Sequence, residues 1–200
     1  VKARVFRISF TGELSYEVNV SAHYGRHIWQ ALIDAGEEFS ITPYGTETMH
    51  VLRAEKGFII VGQDTDGSMT PADMNMDWVV GKNKTFSFIG KRSLHRSDTV
   101  RENRKQLVGL KTVDGQAVLP EGAQVVFDAK EKIPMSMQGH VTSSYYSANL
   151  GHSIALAVVK GGLVRVGQVV YCPLADGRTI AAEIVSSVFY DPKGERHNVE

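Results

Sequence analysis

The sequence has little cysteine, no long apolar run and no net charge, and each shortage excludes a class of protein. Its one cysteine, Cys172, has no partner for an internal disulfide, which rules out a disulfide-stapled framework. No uncharged stretch approaches the roughly 20 apolar residues of a transmembrane helix, so we expect no membrane span and a cytoplasmic location. Lysine and arginine together number 22, as do aspartate and glutamate, so the basic footprint of a nucleic-acid-binding protein is missing.

Common motifs for nucleotides and metals are missing as well. Neither GxGxxG nor GxxxxGK(S/T) occurs in the chain. The run DTDG, which begins at Asp64, imitates a calcium loop, but Gly67 comes too early for one. His23 and His27 have a spacing that can hold a metal on a helix, but HYGRH lacks the adjacent glutamate of a zinc protease. We therefore predict no metal site.

The chain begins Val-Lys-Ala-Arg, without methionine, and runs directly into strand-like sequence. It shows no basic start, apolar stretch and small-residue cleavage site of a signal peptide. We therefore expect a piece of a longer polypeptide, with residues needed for chemistry lying upstream.

What is present indicates an α+β fold in two parts, because hydrophobic residues make up 42% of the chain and their periodicity changes along it. In the first part we expect a hairpin turning at Thr11 and Gly12, and a helix capped by Ser21 and ended by Gly36. The other expected elements are a helix over 46–56, a buried strand over 58–61, a loop over 62–75 and a basic-ended helix over 89–105.

From Gln106 onwards the sequence consists of short β-prone runs separated by Gly, Pro, Asp and Ser. Such spacing predicts a small barrel or sandwich. We expect one domain over residues 1–95 and a second, strand-rich domain over 106–200. The basic run from Arg96 to Lys105 predicts a solvated helix face, and its second interpretation is a docking patch for an acidic partner subunit.

Two carboxylates, Glu13 and Glu17, flank the tip of the predicted hairpin. A carboxylate there could accept two hydrogen bonds from an amidine-like edge, such as that of a pterin or a guanine. A solvated hairpin end is the simpler alternative. On the second helix, Arg53 and Glu55 are two residues apart, so they point in different directions and do not pair directly.

Four linked motifs resemble those of the glycine-cleavage T-protein (aminomethyltransferase) family. They are SFTGELSYEV, LRAEKG, FIGKRSL and VTSSYYSANLGHSIALAVV, in the family's order and spacing across nearly the whole chain. The resemblance implies a partial folate-binding domain followed by a small β-barrel, arranged around a central hole that holds tetrahydrofolate.

Within that family, the resemblance assigns folate-binding roles to individual residues. Glu17 matches the glutamate that grips the pterin edge, and Phe10 matches an aromatic residue that packs beside the pterin. Gly12 matches the turn glycine, and Tyr16 completes the candidate set. The resemblance implies no catalytic residue on this chain, because the family's catalytic aspartate belongs to the upstream half.

There are also departures from the family pattern. Met49 stands where T-proteins place an arginine that contacts folate, and Ser15 replaces a common glycine. The arginine that T-proteins carry near the carboxy terminus has no clear match in VFYDPKGERHN. Contacts to the glutamate tail of folate are therefore expected to differ.

Residues 44–80 resemble, more narrowly, the α-subunit branch of heterotetrameric sarcosine oxidases. That resemblance implies partner β, γ and δ subunits, with FAD, FMN and NAD in the full complex but not on this chain. It also implies transfer of the oxidised methyl group of sarcosine to tetrahydrofolate, giving 5,10-methylenetetrahydrofolate, glycine and hydrogen peroxide. Two alternatives stay open: a T-protein that needs no flavin, and a non-catalytic folate-binding or subunit-docking module.

Overall fold

The computed structural model describes residues 1–81, 83–130 and 132–198. It begins with the predicted hairpin, in which β1 (Arg4–Phe6) pairs antiparallel with β2 (Glu17–Asn19). Both strands are shorter than the sequence predicted, and residues 7–16 form a wide loop between them. The loop departs from the ladder because its backbone groups bond elsewhere: the Gly12 N–H donates to Ser9 Oγ, and the Leu14 N–H to the distant carbonyl of Arg196.

Two α-helices follow the hairpin, as predicted. Helix α1 (Gly25–Gly36) follows a short 3-10 turn, and α2 (Thr46–Glu55) ends before Gly57, whose φ of +72° suits a helix stop. None of the residues of α1 is buried, and the Trp29 side chain is 57% exposed. No helix in the described part of the chain has the length and apolar character needed to cross a membrane.

The predicted buried strand over residues 58–61 is wrong. These residues are irregular, and Val61 is 83% exposed. The physical reason is that their backbone groups bond to side chains: the Phe58 carbonyl accepts from the Arg53 guanidinium, and the Ile60 N–H donates to the Asp64 carboxylate. A strand ladder cannot use groups that are already paired in this way.

The predicted helix over residues 89–105 is also wrong, and with it the solvated helix face. The segment consists of turns with one 3-10 turn, Ser93–His95. The Thr99 hydroxyl bonds to the carbonyls of Ser93 and Arg96, which offers the backbone an alternative to helix. Arg104 is only 6% exposed, because its guanidinium donates to Asp73 at 2.7 Å.

The described residues of the second part form six strands, and each overlaps one of the predicted β-prone runs. They are β3 (Lys105–Thr112), β4 (Gln124–Val125), β5 (Gly139–Ser147), β6 (His152–Lys160), β7 (Val169–Pro173) and β8 (Thr179–Val185). Adjacent strands are antiparallel, in the order β4-β5-β6-β3-β8-β7. An antiparallel bridge between Val126 and Tyr171, with hydrogen bonds of 2.9 and 3.0 Å, joins the two ends of that order. The sheet is therefore a closed barrel, as expected.

Strand β6 explains how the first part is attached to the barrel. Its residues alternate between two apolar clusters, so the strand is buried on both faces. Ala155, Ala157 and Val159 lie in the barrel interior. Ile154, Leu156 and Val158 lie in an outer cluster with Ala54 of α2, Met74 and Leu107. This outer cluster places the end of α2 against the barrel wall.

Candidate functional site

A cavity of about 380 Å³ lies where the hairpin loop, the end of α2 and the chain leaving β8 meet. Its walls are mostly apolar and include several aromatic and methionine side chains: Phe10, Phe58, Met74, Met76 and Trp78. Asn75 adds a polar group whose amide donates to the Leu107 carbonyl at 3.0 Å. An apolar cavity with a few fixed polar groups is the usual form of a small-molecule site.

The structure separates the four predicted folate-binding residues into two pairs. Phe10 is half-buried and lines the cavity. Gly12 is buried in the hairpin loop, with a φ of +86° that favours glycine. Tyr16 is 58% exposed and Glu17 is exposed, and neither lines this cavity.

The end of α2 carries three charged side chains that are buried against the barrel, and the first is Arg53. Its guanidinium pairs with the Asp64 carboxylate at 2.6 Å, and both side chains are 0% exposed. It also donates to Ser143 Oγ of β5 at 2.6 Å. Asp64 in turn accepts from Thr142 and Ser143, so both members of the ion pair are fastened to the same strand.

Glu55 is the second of these charges, and it reaches the other end of β5. Its carboxylate accepts from Ser147 Oγ at 2.6 Å and from the Asn149 side chain at 2.9 Å. Its backbone carbonyl accepts from the N–H groups of Phe189 and Tyr190. Arg53 and Glu55 make no direct pair, as their spacing predicted, and each binds the barrel separately.

Lys56 is the third charge, and it connects the carboxy-terminal residues to the hairpin loop. Its ammonium lies 2.9 Å from the Asp191 carboxylate, and about a tenth of each side chain is exposed. The bond from Lys56 holds the pKa of Asp191 below its usual value. A β-carbon at Gly12 would come within 2.6 Å of the Lys56 methylenes, so the glycine lies flat against the lysine stem.

The carboxy-terminal residues 186–198, which we call the C-terminal strap, also bind the hairpin loop directly. The Arg196 carbonyl accepts from the Leu14 N–H at 3.0 Å, and the His197 carbonyl accepts from the Arg7 guanidinium at 2.5 Å. The Arg196 guanidinium lies 3.7 Å from the Glu13 carboxylate in an exposed ion pair. Glu13 therefore faces the strap.

Sequence reasoning missed the partners of Arg53, Glu55 and Lys56, although the motif LRAEKG marked the segment. The available signal was the presence of three charges within four residues at the end of a half-apolar helix. Charged side chains are buried only when they are paired, so the signal pointed to partners elsewhere in the chain. Met49, which departs from the family arginine, lies half-buried on the same helix.

The described residues offer no cysteine nucleophile and no metal cluster near the cavity. Cys172 lies in the barrel interior, where burial raises the pKa of its thiol to about 12. No three His, Cys, Asp or Glu side chains within the described ranges are grouped to hold a metal ion. The arrangement is suited to binding and orienting a ligand with an aromatic part, which is the chemistry that its walls supply.

This architecture defines the class of protein: an α+β unit whose second helix is fastened to a closed six-stranded antiparallel barrel. Residues 1–84 match the family model described as the GCVT N-terminal domain, and residues 105–191 match the glycine cleavage T-protein C-terminal barrel domain. The crystal structure of the glycine cleavage system aminomethyltransferase T from Bartonella henselae has the same fold, with a TM-score of 0.77 at 24% identity over 92% of this chain and 49% of that one.

The chain belongs to the glycine cleavage T-protein family. It is 49% identical over 200 residues to the sarcosine oxidase α subunit of Corynebacterium sp. strain P-1, covering 99% of this chain and 20% of that protein. It is 32% identical over 186 residues to an aminomethyltransferase of Nostoc sp. strain PCC 7120, covering 93% of this chain and 46% of that enzyme. The chain thus spans about a fifth of one relative and about half of the other.

Proposed function

We propose that this chain is a tetrahydrofolate-binding module and that the cavity beside Phe10 is part of its folate site. The observation that carries the proposal is the placement of the SFTGELSYEV hairpin, whose loop contributes Phe10 to the wall of the cavity. Phe10 supplies an aromatic face there for a pterin ring. Glu17, seven residues further along the same hairpin, supplies the carboxylate for the pterin edge.

The second part of the proposal is that further polypeptide completes this site. The outer surface of the hairpin and of α1 carries exposed apolar side chains, among them Val5, Tyr16, Trp29 and Leu32. An apolar surface of this extent is typical of an interface. Polypeptide that also covers the opposite hairpin face, where Glu17 lies beside its exposed cross-strand partner Phe6, would enclose Glu17, so that its hydrogen bonds to a pterin are shielded from water. We accordingly assign residues 1–95 to the folate-binding domain and 106–200 to the barrel domain.

The third part concerns the reaction of the whole protein, and it rests on the similarity to the sarcosine oxidase α subunit. Oxidation of the methyl group of sarcosine by O₂ gives an imine and hydrogen peroxide. The imine carbon then forms two bonds to nitrogens of tetrahydrofolate, and glycine leaves, so the products are 5,10-methylenetetrahydrofolate, glycine and hydrogen peroxide. FAD, FMN and NAD belong to the rest of that complex, and the β, γ and δ subunits are the partners.

A second candidate is an aminomethyltransferase, which the similarity to the Nostoc enzyme favours. It would use the same folate cavity but would need no flavin and no oxygen. Oxygen consumption by the full native protein with sarcosine distinguishes the two: uptake supports the oxidase, and its absence together with folate binding supports the transferase.

The test of the folate site is a pair of matched substitutions, Glu17→Gln and Glu13→Gln, in the full native protein. An amide forfeits one acceptor and places a donor against a donor, which costs about 2 kcal/mol for an enclosed charge-assisted bond, or a roughly 30-fold rise in Kd. We expect that rise for Glu17→Gln. Glu13 faces the C-terminal strap in an exposed ion pair, so we expect a change of less than about threefold there.

Calorimetric titration with tetrahydrofolate measures both constants. Amine oxidation should continue in the Glu17→Gln protein, with formaldehyde released in place of methylenetetrahydrofolate. Equal Kd values for the two variants would remove Glu17 from the site. A folate-binding protein without amine oxidation or aminomethyl transfer would be the non-catalytic module.

A further inference from the structure

The strongest feature that the proposed function leaves unused is the ion pair between Lys56 and Asp191. The pair joins the residue after α2 to the C-terminal strap, and it lies behind the hairpin loop. Lys56 itself touches two things at once: its ammonium binds Asp191, and its methylenes support Gly12. The position of the loop therefore depends on where the lysine side chain is held.

Asp191 makes further hydrogen bonds that fix its own position, and with it the position of the lysine. Besides the ion pair, its carboxylate accepts from the backbone N–H groups of Glu195 at 2.9 Å and Arg196 at 3.2 Å. Its own φ is +47°, an uncommon conformation for a residue other than glycine. Asp191 thus fixes the turn of the strap that presents the Arg196 carbonyl to the Leu14 N–H.

We infer that Asp191 and Lys56 are positioning residues, which set the hairpin loop, and hence Phe10 and Glu17, in the geometry that binds folate. The inference rests on the proposed folate site. Asp191 does not line the cavity and acts on the loop through the strap, whereas Lys56 acts through Gly12 and also forms part of the cavity wall, so Asp191→Asn is the variant that tests positioning alone. The loop has few other attachments, since the hairpin strands β1 and β2 are three residues each and exposed.

The experiment breaks the pair from each end in the full native protein. Asp191→Asn removes the charge but keeps an oxygen that can accept from the strap backbone. Lys56→Met removes the ammonium but keeps a stem of similar length against Gly12. The matched control is Asp176→Asn, because Asp176 makes the same kinds of bond to Arg178, through a side-chain pair and a backbone N–H, but in the exposed turn between β7 and β8.

Two measurements are made on each variant: hydrogen exchange at the Leu14 amide and the Kd for tetrahydrofolate. We expect each single variant to accelerate exchange at Leu14 by at least tenfold and to weaken folate binding by about tenfold. The double variant should be no worse than Lys56→Met alone, because the lysine ammonium makes both bonds to Asp191, to its carboxylate and to its backbone carbonyl, and Asp191→Asn removes only the first. The control should change neither quantity, and the melting temperature of every variant shows whether loosening is local or global.

Each result decides the question. Faster exchange with weaker folate binding and non-additivity supports the inference. Faster exchange with unchanged affinity overturns it, because the loop position would then not matter for the ligand. Unchanged exchange at Leu14 overturns the claim that the Lys56–Asp191 pair fixes the position of the loop. Additive effects would overturn the claim that the two residues act as one pair. Should the unmodified protein fail to bind folate, the proposed function fails, and the exchange measurement still reports on the link independently.

Discussion

Removing the charge of Asp64 should severely destabilise this protein, and the structure sets the size of the effect. Asp64 and Arg53 are both 0% exposed, so Asp64→Asn would leave a guanidinium in the interior without its counter-ion. Breaking a buried ion pair from one side costs about 3–5 kcal/mol, because the remaining charge keeps its desolvation cost and loses its attraction. For a chain of this size, each kcal/mol lowers the melting temperature by about 2–4 °C. We therefore expect a fall of roughly 6–20 °C.

The assay is urea unfolding of the 200-residue chain, followed by circular dichroism, with thermal melting as a second measure. Asp176→Asn is the matched control, because its pair with Arg178 is at least half exposed, and it should leave the midpoint unchanged. A midpoint for Asp64→Asn within about 2 °C of the unmodified chain would refute the reasoning. It would mean that the guanidinium finds water or another acceptor on losing its partner.

Three smaller predictions concern the barrel and its surface. Leu156→Ala should cost about 2–5 kcal/mol in urea unfolding, because Leu156 is 0% exposed between the barrel and α2, and an unchanged free energy would contradict that placement. Cys172 should resist alkylation at pH 8 until the chain unfolds, since burial raises its thiol pKa to about 12; fast labelling of the folded protein would show that the interior is open. The pKa of His140 is lowered by burial and then by Lys105, so the stability it contributes is complete above about pH 6.5 and declines as the pH falls below that value. His140→Gln should flatten that decline, and NMR titration of the ring should give a folded pKa below the unfolded one.

The barrel could be predicted from the sequence because its signals are local. Each strand coincides with a short β-prone run, and Gly, Pro, Asp or Ser marks the intervals. The run SIALAVV has no polar alternation, and the structure explains this, since β6 is buried on both faces. The strand order, in which β3 pairs with β6 and β8, and the closing bridge between Val126 and Tyr171 required knowledge of distant neighbours.

The segments that were predicted wrongly fail for one shared reason. In residues 58–61 and 89–105, local propensity is overridden by side chains that bind the backbone or a distant carboxylate. Because its neighbours are basic, Arg104 was predicted to lie on a solvated face, but its bonds to Asp73 hold it in the interior. A charge run does not reveal which of its members has a partner elsewhere in the chain.

The sequence marked the hairpin that contributes Phe10 to the cavity, but not the contacts that hold its loop. The hairpin loop and its carboxylates lie within the ten consecutive residues SFTGELSYEV, whereas Lys56 and Asp191 are 135 residues apart. No periodicity connects positions so distant, because that pairing exists only once the barrel has closed and returned the chain to its start. Resemblance to a family singled out the hairpin, and the structure was needed to find what holds it.

The C-terminal strap has a consequence for the order in which this protein is made. Arg7 of the hairpin loop donates a hydrogen bond to the carbonyl of His197, which is 190 residues further along the chain. The loop is therefore synthesised early in this chain, and the residue that fastens it is synthesised late. At about 5–20 residues per second, the hairpin waits roughly 10–40 s on the ribosome before its anchor exists. During that interval the loop lacks its hydrogen bonds to the carbonyls of Arg196 and His197. The cavity wall that includes Phe10 is therefore fastened late, and a nascent chain stalled before the strap would carry the whole hairpin without the bonds that hold its loop.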